Sequence, residues 1–217
     1  MMSDVPQSIP ASVIRRLTAY LTRAQTLCAA GVEWVSSQEL AEDLGLTSST
    51  VRQDLTHLDF CGISRRGYQV AGLQAVLSRV LGGDTVWNMA VVGAGNIGKA
   101  LALHREFSRR GFTICGLFDS DPKKIGKKVG GLTIQSIQAL GPLARTRRVD
   151  IGVIAVPSAA AQSVADILVA ARVRGLLNLT HVHLAAPRSV PVVEVRIVAS
   201  LQELAHAISL VPCRPAR

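Results

Sequence analysis

The chain has 217 residues, of which 48% are hydrophobic and 18% charged, and it carries a formal net charge of +9. These proportions exclude a wholly disordered polypeptide and predict two domains of modest size, each with its own core. No window approaches the roughly 18 consecutive apolar residues that cross a bilayer, and residues 1–10 lack the features of a secretory signal, so we expect a cytoplasmic protein without a membrane partner.

The cysteines and the distribution of charge narrow the functional classes further. The four cysteines are widely separated, and no two form a Cys-x-x-Cys pair, which argues against a metal site and a disulfide framework. They are Cys28, Cys61, Cys115 and Cys213. Residues 1–83 contain seven basic and seven acidic side chains, so the whole positive excess lies in residues 84–217. Net charge therefore does not identify a DNA-binding domain here.

The first predicted elements are two helices. An amphipathic helix follows Pro10 and ends before Gly31, because its apolar residues recur at three- and four-residue steps. Those residues are Val13, Ile14, Leu17, Tyr20, Leu21, Ala24, Leu27 and Cys28. A second, shorter helix starts at a capping box, with Ser36 as the cap and Glu39 three residues later, and it stops at Gly45.

The third predicted helix has the properties of a recognition helix. Hydroxyl groups in residues 47–50 supply a cap, and Val51, Leu55 and Leu58 face the core at helical spacing. A short helix, a glycine turn and a capped helix with a polar face are typical of a helix-turn-helix motif, whose second helix enters the major groove of DNA. The expected DNA contacts are Arg52 and Gln53 with bases, and Ser48, Ser49 and Thr56 with phosphates.

Residues 63–70 predict a hairpin, or wing, in which Arg65 and Arg66 are adjacent. Guanidinium groups on a wing are suited to the DNA backbone or to the minor groove. The alternative is that these helices form a structural or dimerisation module and that the two arginines are an ordinary solvated pair. A connecting helix is predicted from Leu73 to Leu81, and Gly82-Gly83 after it marks a domain boundary.

The second half opens with a strand from Trp87, a glycine-rich loop and a helical pattern that reaches Phe107. This context is what the dinucleotide-binding G-x-G-x-x-G motif requires. Within it, Gly93 permits a tight turn, Gly95 lets the backbone approach a pyrophosphate, and Gly98 allows close packing of helix against strand. Amide groups at the helix start hold the phosphate charge. The predicted loop contacts are Gly93, Ala94, Gly95, Asn96, Ile97 and Gly98.

A second predicted strand, from Thr113 to Phe118, ends at Asp119, twenty-one residues after Gly98. A carboxylate at this position bonds the adenosine ribose hydroxyls and repels a 2′-phosphate, so we expect NAD(H) rather than NADP(H) as the cofactor. The neighbouring Lys123 and Lys124 soften that preference without reversing it. The alternative is a glycine-rich turn and a helix-capping aspartate in an unrelated α/β protein.

The remaining pattern alternates near-continuous apolar strands with helices. It predicts an α/β Rossmann fold, a doubly wound parallel sheet covered on both faces. The segments are strands at 150–156, 175–179 and 192–198 and helices at 158–171 and 200–210. Loops at Val156-Pro157 and Asn178 should border the nicotinamide end of the cofactor. The last helix either covers its own sheet or crosses to a partner subunit.

We therefore expect three segments. Residues 1–83 form a winged helix-turn-helix domain with its connecting helix, residues 84–199 form a Rossmann NAD(H)-binding domain, and residues 200–217 contain a C-terminal helix. Lysines and arginines in the second half cluster at positions such as Lys123-Lys124 and Lys127-Lys128. Such clusters are most often solvated loops and helix ends, with attraction of DNA phosphates as the alternative.

With both halves in view, the chain resembles the Rex family of redox-sensing transcriptional repressors over nearly its whole length. The resemblance rests on Ile9–Leu17 with Tyr20-Leu21, Val51–Leu55, Gly67–Val70, the glycine loop, Phe118–Pro122, Val156-Pro157 with Ala160–Gln162, and Asn178. It implies a homodimer with a swapped C-terminal helix, bound to double-stranded operator DNA with an inverted repeat. It also implies repression of fermentation and respiration genes when NADH is scarce, and release from DNA when NADH binds.

The chain departs from the family pattern in three places. One is the pair Thr180-His181, which replaces the Ala-Pro that follows the family's Asn-aromatic pair. The family usually has an aromatic- and glycine-rich stretch between recognition helix and wing, whereas residues 57–66 of this chain hold only Phe60 and Gly62 of these types, which leaves the position of the wing open. Three positions that form a polar switch of Arg, Tyr and Asp in some members hold Thr22, His104 and Arg196 here. The redox response is therefore altered or depends on other residues.

Two rival classes remain. A small NAD-dependent oxidoreductase would need an acid/base group, for which His181 and His183 are the candidates. Little chain is left after the Rossmann unit to build a substrate domain, so we expect no enzyme activity. The second rival is a module that uses the same glycine loop for another adenosine ligand, such as coenzyme A.

Overall fold

The structure is a computed structural model that describes residues 9–104 and 106–210. It divides into two compact units, of which the first runs to Thr85 and the second starts at Val86, close to the boundary expected after residue 83. Cys213 and the last seven residues of the predicted segment 200–217 lie outside the described residues, as does most of the N-terminal stretch considered as a secretory signal.

From residue 9 onward, where the structure describes it, the first unit contains four helices and a two-stranded antiparallel sheet. The helices are α1 (Ala11–Ala29), α2 (Ser37–Glu42), α3 (Ser48–Leu55) and α4 (Val70–Val80), and the strands are β1 (Trp34–Val35) and β2 (Tyr68–Gln69). The capping box predicted for α2 is confirmed, because the Ser36 hydroxyl accepts from the Glu39 amide and the Glu39 carboxylate accepts from the Ser36 amide. The connecting helix α4 begins at Val70 rather than Leu73, since the Gln69 side chain caps the amide of Gly72.

The core of the first unit lies where α1 packs on α4 and where α3 closes over both. Its fully buried side chains include several of the periodic residues predicted for the helices. They are Leu17, Tyr20, Leu40, Val51, Leu73 and Leu77. Burial of each such side chain stabilises the fold by about 1.5–3 kcal/mol relative to leaving it in water. This core fixes α3 in one orientation, with its polar face turned outward.

The second unit is built on a seven-stranded sheet in the order β5-β6-β4-β3-β7-β8-β9, in which only β5 is antiparallel to its neighbour. The strands are β3 (Trp87–Val92), β4 (Phe112–Asp119), β5 (Lys128–Val129), β6 (Leu132–Ser136), β7 (Ile151–Ile154), β8 (Gly175–Asn178) and β9 (Val192–Glu194). The helices are α5 (Asn96–Leu103), α6 (Glu106–Arg109), α7 (Leu140–Thr146), α8 (Ala161–Ala170) and α9 (Ile197–Leu210). The predicted fold class is confirmed.

Both faces of this sheet are covered, which explains why its strands are apolar without alternation. Along β4, Phe118 contributes to a core on one face, while Leu117 contributes to a core on the other. The strand order reverses at β3, which pairs with β4 on one side and with β7 on the other. Ligands of doubly wound sheets bind at such a point, beyond the carboxyl ends of the strands.

Three predicted boundaries in the second unit are wrong. The helix expected to reach Phe107 is interrupted, because α5 ends at Leu103 and α6 begins at Glu106. The strand expected over 192–198 stops at Glu194, and α9 begins at Ile197, three residues before the predicted start. The hairpin of β5 and β6 and the helix α7 were not predicted at all, since a two-residue strand and a seven-residue helix carry too little periodicity.

The last helix has no partner within the described residues. No residue of α9 is buried, and four apolar side chains along it are 55–63% exposed. They are Ile197, Leu201, Leu204 and Ile208. An apolar helix face that stays in water is unusual in a stable monomer. Across the part of the chain that is described, no helix combines the length and apolarity needed to cross a membrane.

Candidate functional sites

A cavity of about 720 Å³ lies at the point where the strand order reverses, beyond the carboxyl ends of β3, β4 and β7. Its position and size are those of a nucleotide site in a doubly wound sheet. Seven of the ten residues predicted to bind the cofactor line it. They are Gly93, Gly95, Asn96, Ile97, Asp119, Val156 and Pro157.

The three glycines of the loop have different steric environments. Gly93 has a φ of +107°, and a Cβ atom there would lie 2.2 Å from the carbonyl oxygen of Ala155. A Cβ atom on Gly98 would lie 1.8 Å from the carbonyl oxygen of Gly93, so this glycine lets α5 start directly against the loop. Gly95 faces open space, with no atom within 4 Å of an added Cβ. The loop thus leaves room for a ligand where a pyrophosphate is expected to approach.

Asp119 is the best-connected polar residue of the cavity. It is 7% exposed, and its Oδ2 accepts from the amide of Ala94 at 2.8 Å and from the Nζ of Lys124 at 3.0 Å. Its Oδ1 accepts from the amide of Asp121 at 2.9 Å. Burial alone would raise the pKa of Asp119, but these hydrogen bonds outweigh it and hold the pKa below its ordinary value. The carboxylate is therefore charged at neutral pH and connects β4 to the glycine loop.

Three predicted cofactor residues do not line the cavity. Ala94 is buried and contributes its amide to Asp119, and Gly98 is buried under the loop. Asn178 is also buried, and its side-chain amide donates to the carbonyl of Val182 while its Oδ1 accepts from the amide and the hydroxyl of Thr180. A cofactor contact by Asn178 stays a prediction, because these bonds already use its amide within the turn after β8.

The cavity also contains residues that were not predicted as cofactor contacts. They are Val92, Ser120, Asp121, Ile137, Ala155, Ala160, Ser163, Val164 and Ile167, together with Lys124. Ile137 and Ile167 add apolar side chains to its lining. Ile137 belongs to the unassigned region between β6 and β7, so no motif could have found it. Ser163, Val164 and Ile167 follow from α8 once that helix is placed beside the glycine loop.

The second candidate site is the polar face of α3, where the predicted recognition helix presents its side chains. The side chains of Ser49, Arg52, Gln53 and Thr56 are exposed, and that of Ser48 is half-buried. The helix is capped by Thr47, whose hydroxyl accepts from the amide of Thr50. Arg52 donates from its Nη1 to the Ser37 hydroxyl at 3.1 Å, which holds the guanidinium at the start of α2. Four of these five predicted DNA contacts therefore lie in α3, and the fifth, Thr56, is the residue that caps its C-terminal end.

The predicted wing is a tight turn that leads into β2. The amide of Ile63 donates to the carbonyl of Gly67, and the amide of Gly67 donates back to Ile63. At its tip, Arg65 has a φ of 61°, a left-handed conformation that costs a residue with a Cβ about 1–2 kcal/mol. A turn normally places glycine or asparagine there. A DNA contact by Arg65 stays a prediction.

A cavity of about 410 Å³ lies between the wing and the polar face of α3. Arg52, Arg65 and Arg66 all line it, so the structure brings together three of the four charged or amide groups predicted to reach DNA. The guanidinium of Arg66 lies 4.0 Å from the ring centre of Trp34. The hydroxyl residues Ser36, Ser37 and Ser64 also line this cavity, and sequence reasoning missed them as candidate contacts.

A buried ionic cluster attaches α3 to α1. The Nε and Nη2 of Arg16 donate to the two oxygens of Asp54 at 2.6 and 2.7 Å, and the Tyr20 hydroxyl donates to Asp54 Oδ2 at 2.7 Å. The bonds from Arg16 and Tyr20 lower the pKa of Asp54 although burial opposes them, and burial together with Asp54 raises the pKa of Tyr20. Asp54 follows Arg52 and Gln53 directly, so the cluster orients the two residues expected to contact bases.

The positions that depart from the family switch have local partners. The Thr22 hydroxyl donates to the carbonyl of Thr18 in its own helix, and the His104 ring lies 5.1 Å from that of Phe107. Arg196 pairs with Glu194, whose other oxygen lies 2.8 Å from His183 Nδ1. The candidate acid/base residues His181 and His183 are not among the residues that line the nucleotide cavity. Among the described residues, no group of three or more metal-ligating side chains could hold an ion.

Two family models match the chain, one in each unit. The family described as "CoA binding domain" matches residues 84–182, which include the glycine loop and Asp119. The family described as "Putative DNA-binding protein N-terminus" matches residues 8–56, which include α1 and α3.

Curated relatives and solved structures match nearly the full length. The redox-sensing transcriptional repressor Rex of Carboxydothermus hydrogenoformans is 42% identical over 200 residues, which are 92% of this chain and 96% of that protein. Rex 1 of Thermotoga maritima is 41% identical and covers 93% and 97%. The structure of RSP in complex with beta-NAD+ and operator DNA has a TM-score of 0.88 and 32% identity, with 94% of each chain covered. RSP in complex with beta-NADH has a TM-score of 0.85 and 33% identity over 93% of this chain and 94% of that chain. The chain therefore belongs to the Rex family of redox-sensing transcriptional repressors.

Proposed function

We propose that this protein represses transcription in response to the redox state of the NAD(H) pool. It binds operator DNA through α3 and the wing, and it binds NAD(H) in the cavity beyond β3, β4 and β7. The observation that carries the proposal is that both sites occur in one chain, which matches over 94% of its length a repressor solved with beta-NAD+ and operator DNA. Because its partner is chromosomal DNA, we place the protein in the cytoplasm.

The cavity suits NAD(H) through the same residues that shape it. The amides at the start of α5 hold the pyrophosphate, and the open space at Gly95 lets it approach. The charged Asp119 accepts from the ribose hydroxyls of the adenosine half and disfavours a 2′-phosphate. Val156 and Pro157 line the side expected to face the nicotinamide. The nicotinamide supplies the signal through its oxidation state, and the protein distinguishes the two states by binding.

The DNA-binding form is proposed to be a homodimer. The exposed apolar side chains of α9 need a partner surface, and a second copy of the chain supplies one if the helices are exchanged between subunits. Two recognition helices related by a two-fold axis match an inverted repeat, with half-sites about 34–36 Å or a multiple of this apart. In each subunit, Arg52 and Gln53 contact bases, while Ser48, Ser49 and Thr56 contact phosphates; Arg65 and Arg66 reach the backbone or the minor groove.

Release by NADH requires that the reduced cofactor favour a DNA-incompetent arrangement of the dimer. A ligand shifts an equilibrium only by its difference in affinity for the two states, so NADH must bind the DNA-incompetent state more tightly than NAD+ does. Coupling free energies of this kind are about 1–3 kcal/mol. The residues that transmit the coupling differ here from the family pattern, because Thr22, His104 and Arg196 replace the usual Arg, Tyr and Asp.

A second candidate ligand is coenzyme A, because the family model that matches residues 84–182 is described as a CoA binding domain. Coenzyme A and NADH both have an adenosine diphosphate group, which the glycine loop would hold in the same way. Competition separates the two ligands. If the cavity is an NAD(H) site, NADH binds tightly and coenzyme A does not displace it.

Fluorescence anisotropy of a labelled inverted-repeat duplex at fixed salt tests the proposed function. We expect the protein without nucleotide and with NAD+ to bind the duplex, and NADH to release it. A duplex of scrambled sequence is the control, because phosphate contacts alone give salt-dependent binding to any sequence. Equal affinity for the duplex with NADH, with NAD+ and without nucleotide would refute redox sensing.

A further inference from the structure

A second cavity, of about 400 Å³, shares Lys124 with the nucleotide cavity. Its described lining contains four lysines and no acidic residue. The lysines are Lys99, Lys124, Lys127 and Lys128, and the other lining residues are Leu103, Val129, Gly130 and Ile134. We call this cavity the lysine pocket. The proposed contacts of NAD(H) use none of its residues.

Hydrogen bonds and close packing hold the backbone around the lysine pocket. The amide of Lys127 donates to the carbonyl of Lys124 at 3.1 Å, and the amide of Ile134 donates to the carbonyl of Lys127 at 2.8 Å. The turn between β5 and β6 lies tightly against α5, since a Cβ atom on Gly130 would lie 2.7 Å from the carbonyl oxygen of Ala102. Lysines from two elements are thus held on one wall by hydrogen bonds and close packing.

The charge of the lysine pocket is poorly balanced. Lys124 pairs with Asp119, but among the described residues no carboxylate lies within 4.0 Å of the ammonium groups of Lys99, Lys127 or Lys128. Grouped cations raise one another's energy and attract a multivalent anion. Lys99, Lys127 and Lys128 are exposed, as is Lys123, but Lys123 lines neither cavity and is therefore the lysine of this loop with which they can be compared.

We propose that the lysine pocket binds a phosphate group and that Lys124 couples this phosphate to the nucleotide cavity. The phosphate belongs either to a free anion such as pyrophosphate or to the ribose of an adenine nucleotide that is bound in the neighbouring cavity. The Nζ of Lys124 lies 3.0 Å from Asp119 Oδ2. When this ammonium turns to a phosphate, Oδ2 loses one of its donors and becomes available to a ribose hydroxyl. The coupling, unlike the phosphate site itself, rests on the proposed NAD(H) function.

Isothermal titration calorimetry on the full chain tests the site, with sodium pyrophosphate as the probe and with chloride added to keep the ionic strength constant. We expect saturable binding that is weakened about tenfold or more when Lys127→Ala and Lys128→Ala are combined. The matched control is Lys123→Ala, which removes one lysine from the same loop and should leave the affinity within about twofold. A Lys127→Gln and Lys128→Gln variant repeats the test with bulkier side chains, and circular dichroism checks that each variant is folded.

Titrations with NADPH and NADH identify the source of the phosphate. A phosphate on the ribose predicts that the double variant lowers the ratio of NADPH to NADH affinity, whereas a free phosphate predicts that pyrophosphate binds together with NADH. The proposal is overturned if pyrophosphate gives no saturable heat and the affinity ratio is the same in the double variant and in Lys123→Ala. Absence of NADH binding to the unmodified protein would instead contradict the proposed function, so the two failures are distinguishable.

Discussion

The glycine loop of the nucleotide cavity is shaped by the backbone, whereas the proposed DNA surface, on α3 and the wing, consists of exposed side chains. Around the cavity, the positions of Gly93 and Gly98 exclude any side chain, and Asp119 is held by backbone amides. On the proposed DNA surface, the side chains of Arg52, on a short helix, and Arg65, on a tight turn, are exposed. The shape of the first site is therefore set by the main chain before a ligand arrives, whereas the second consists of side chains that are accessible to a partner.

The comparison extends to backbone strain. Among the described residues, two that are not glycine have a positive φ. They are Arg65, at 61° in the first unit, and Arg172, at 60° in the second. Arg65 lines the cavity beside α3, while Arg172 follows the end of α8. One strained arginine therefore lies beside the proposed DNA surface, and the other lies outside both that surface and the nucleotide cavity. Each can serve as a control for the other.

The largest effect is expected from Gly98→Ala. The added Cβ would lie 1.8 Å from a backbone carbonyl oxygen, so α5 must move away from the loop. We expect NADH affinity to fall by about 100-fold or more, which corresponds to about 3 kcal/mol. Titration of NADH by fluorescence measures this loss. Gly95→Ala is the control for stability, because its Cβ meets no protein atom within 4 Å and would hinder only the approach of the pyrophosphate; an equal stability loss in both variants would contradict the assigned roles.

The next effect concerns stability, through Asp54→Asn. This change leaves the Arg16 guanidinium without its charged partner and should lower the free energy of unfolding by about 2–3 kcal/mol. Urea denaturation measures the loss. Because the folded state holds the pKa of Asp54 below its ordinary value, the stabilisation is present above that value and is lost as pH falls through the lower, folded-state pKa. The unmodified protein should therefore lose more stability than Asp54→Asn below about pH 4; parallel curves would contradict this account.

Arg52→Ala should weaken operator binding by about 1–3 kcal/mol, because it removes a base contact from the recognition helix. Anisotropy on the inverted repeat and on a scrambled duplex separates a base contact from a phosphate contact. The control is Arg15→Ala, which removes an exposed arginine from α1 outside the proposed DNA surface. If both variants bind the operator equally well, Arg52 has no recognition role.

Asp119→Asn should reduce NADH affinity by about 1–2 kcal/mol and raise the relative affinity for NADPH. The amide keeps the shape of the side chain but removes the charge that pairs with Lys124 and is proposed to accept from ribose hydroxyls. Parallel titrations with NADH and NADPH measure the change in preference. Lys123→Ala serves as the control for altered charge on the same loop. An unchanged preference would mean that Asp119 does not face the adenosine ribose.

The smallest effect distinguishes strain from function. Replacement of either left-handed arginine by glycine relieves strain, although it increases the freedom of the unfolded chain, so each variant should be up to about 1 kcal/mol more stable. Arg65→Gly should also weaken operator binding, whereas Arg172→Gly should not. Thermal unfolding and operator anisotropy on both variants supply the four measurements. Equal operator affinities would remove Arg65 from the DNA surface.

Sequence reasoning recovered features that depend on neighbouring residues. Three predicted local patterns are present in the structure, and each has one physical role. They are the capping box at Ser36, the glycine loop, and Asp119 at the end of its strand. The reasoning missed the hairpin of β5 and β6, and with it the lysine pocket, because Lys99 and Lys127 are distant in sequence and adjacent only after folding. It did not predict that Arg16, Tyr20 and Asp54 interact, because a hydrogen bond between residues 38 positions apart leaves no periodic pattern in the sequence.

NADH and operator DNA are proposed to oppose each other's binding. Because such coupling is reciprocal, it can be measured as an effect of DNA on NADH affinity. Calorimetric titration of NADH into the protein alone, and into the protein saturated with the inverted-repeat duplex, measures the coupling without a label. The account predicts that the duplex weakens NADH binding by about 5–150-fold, the same factor by which NADH weakens operator binding. Equal NADH affinity with and without the duplex would contradict it.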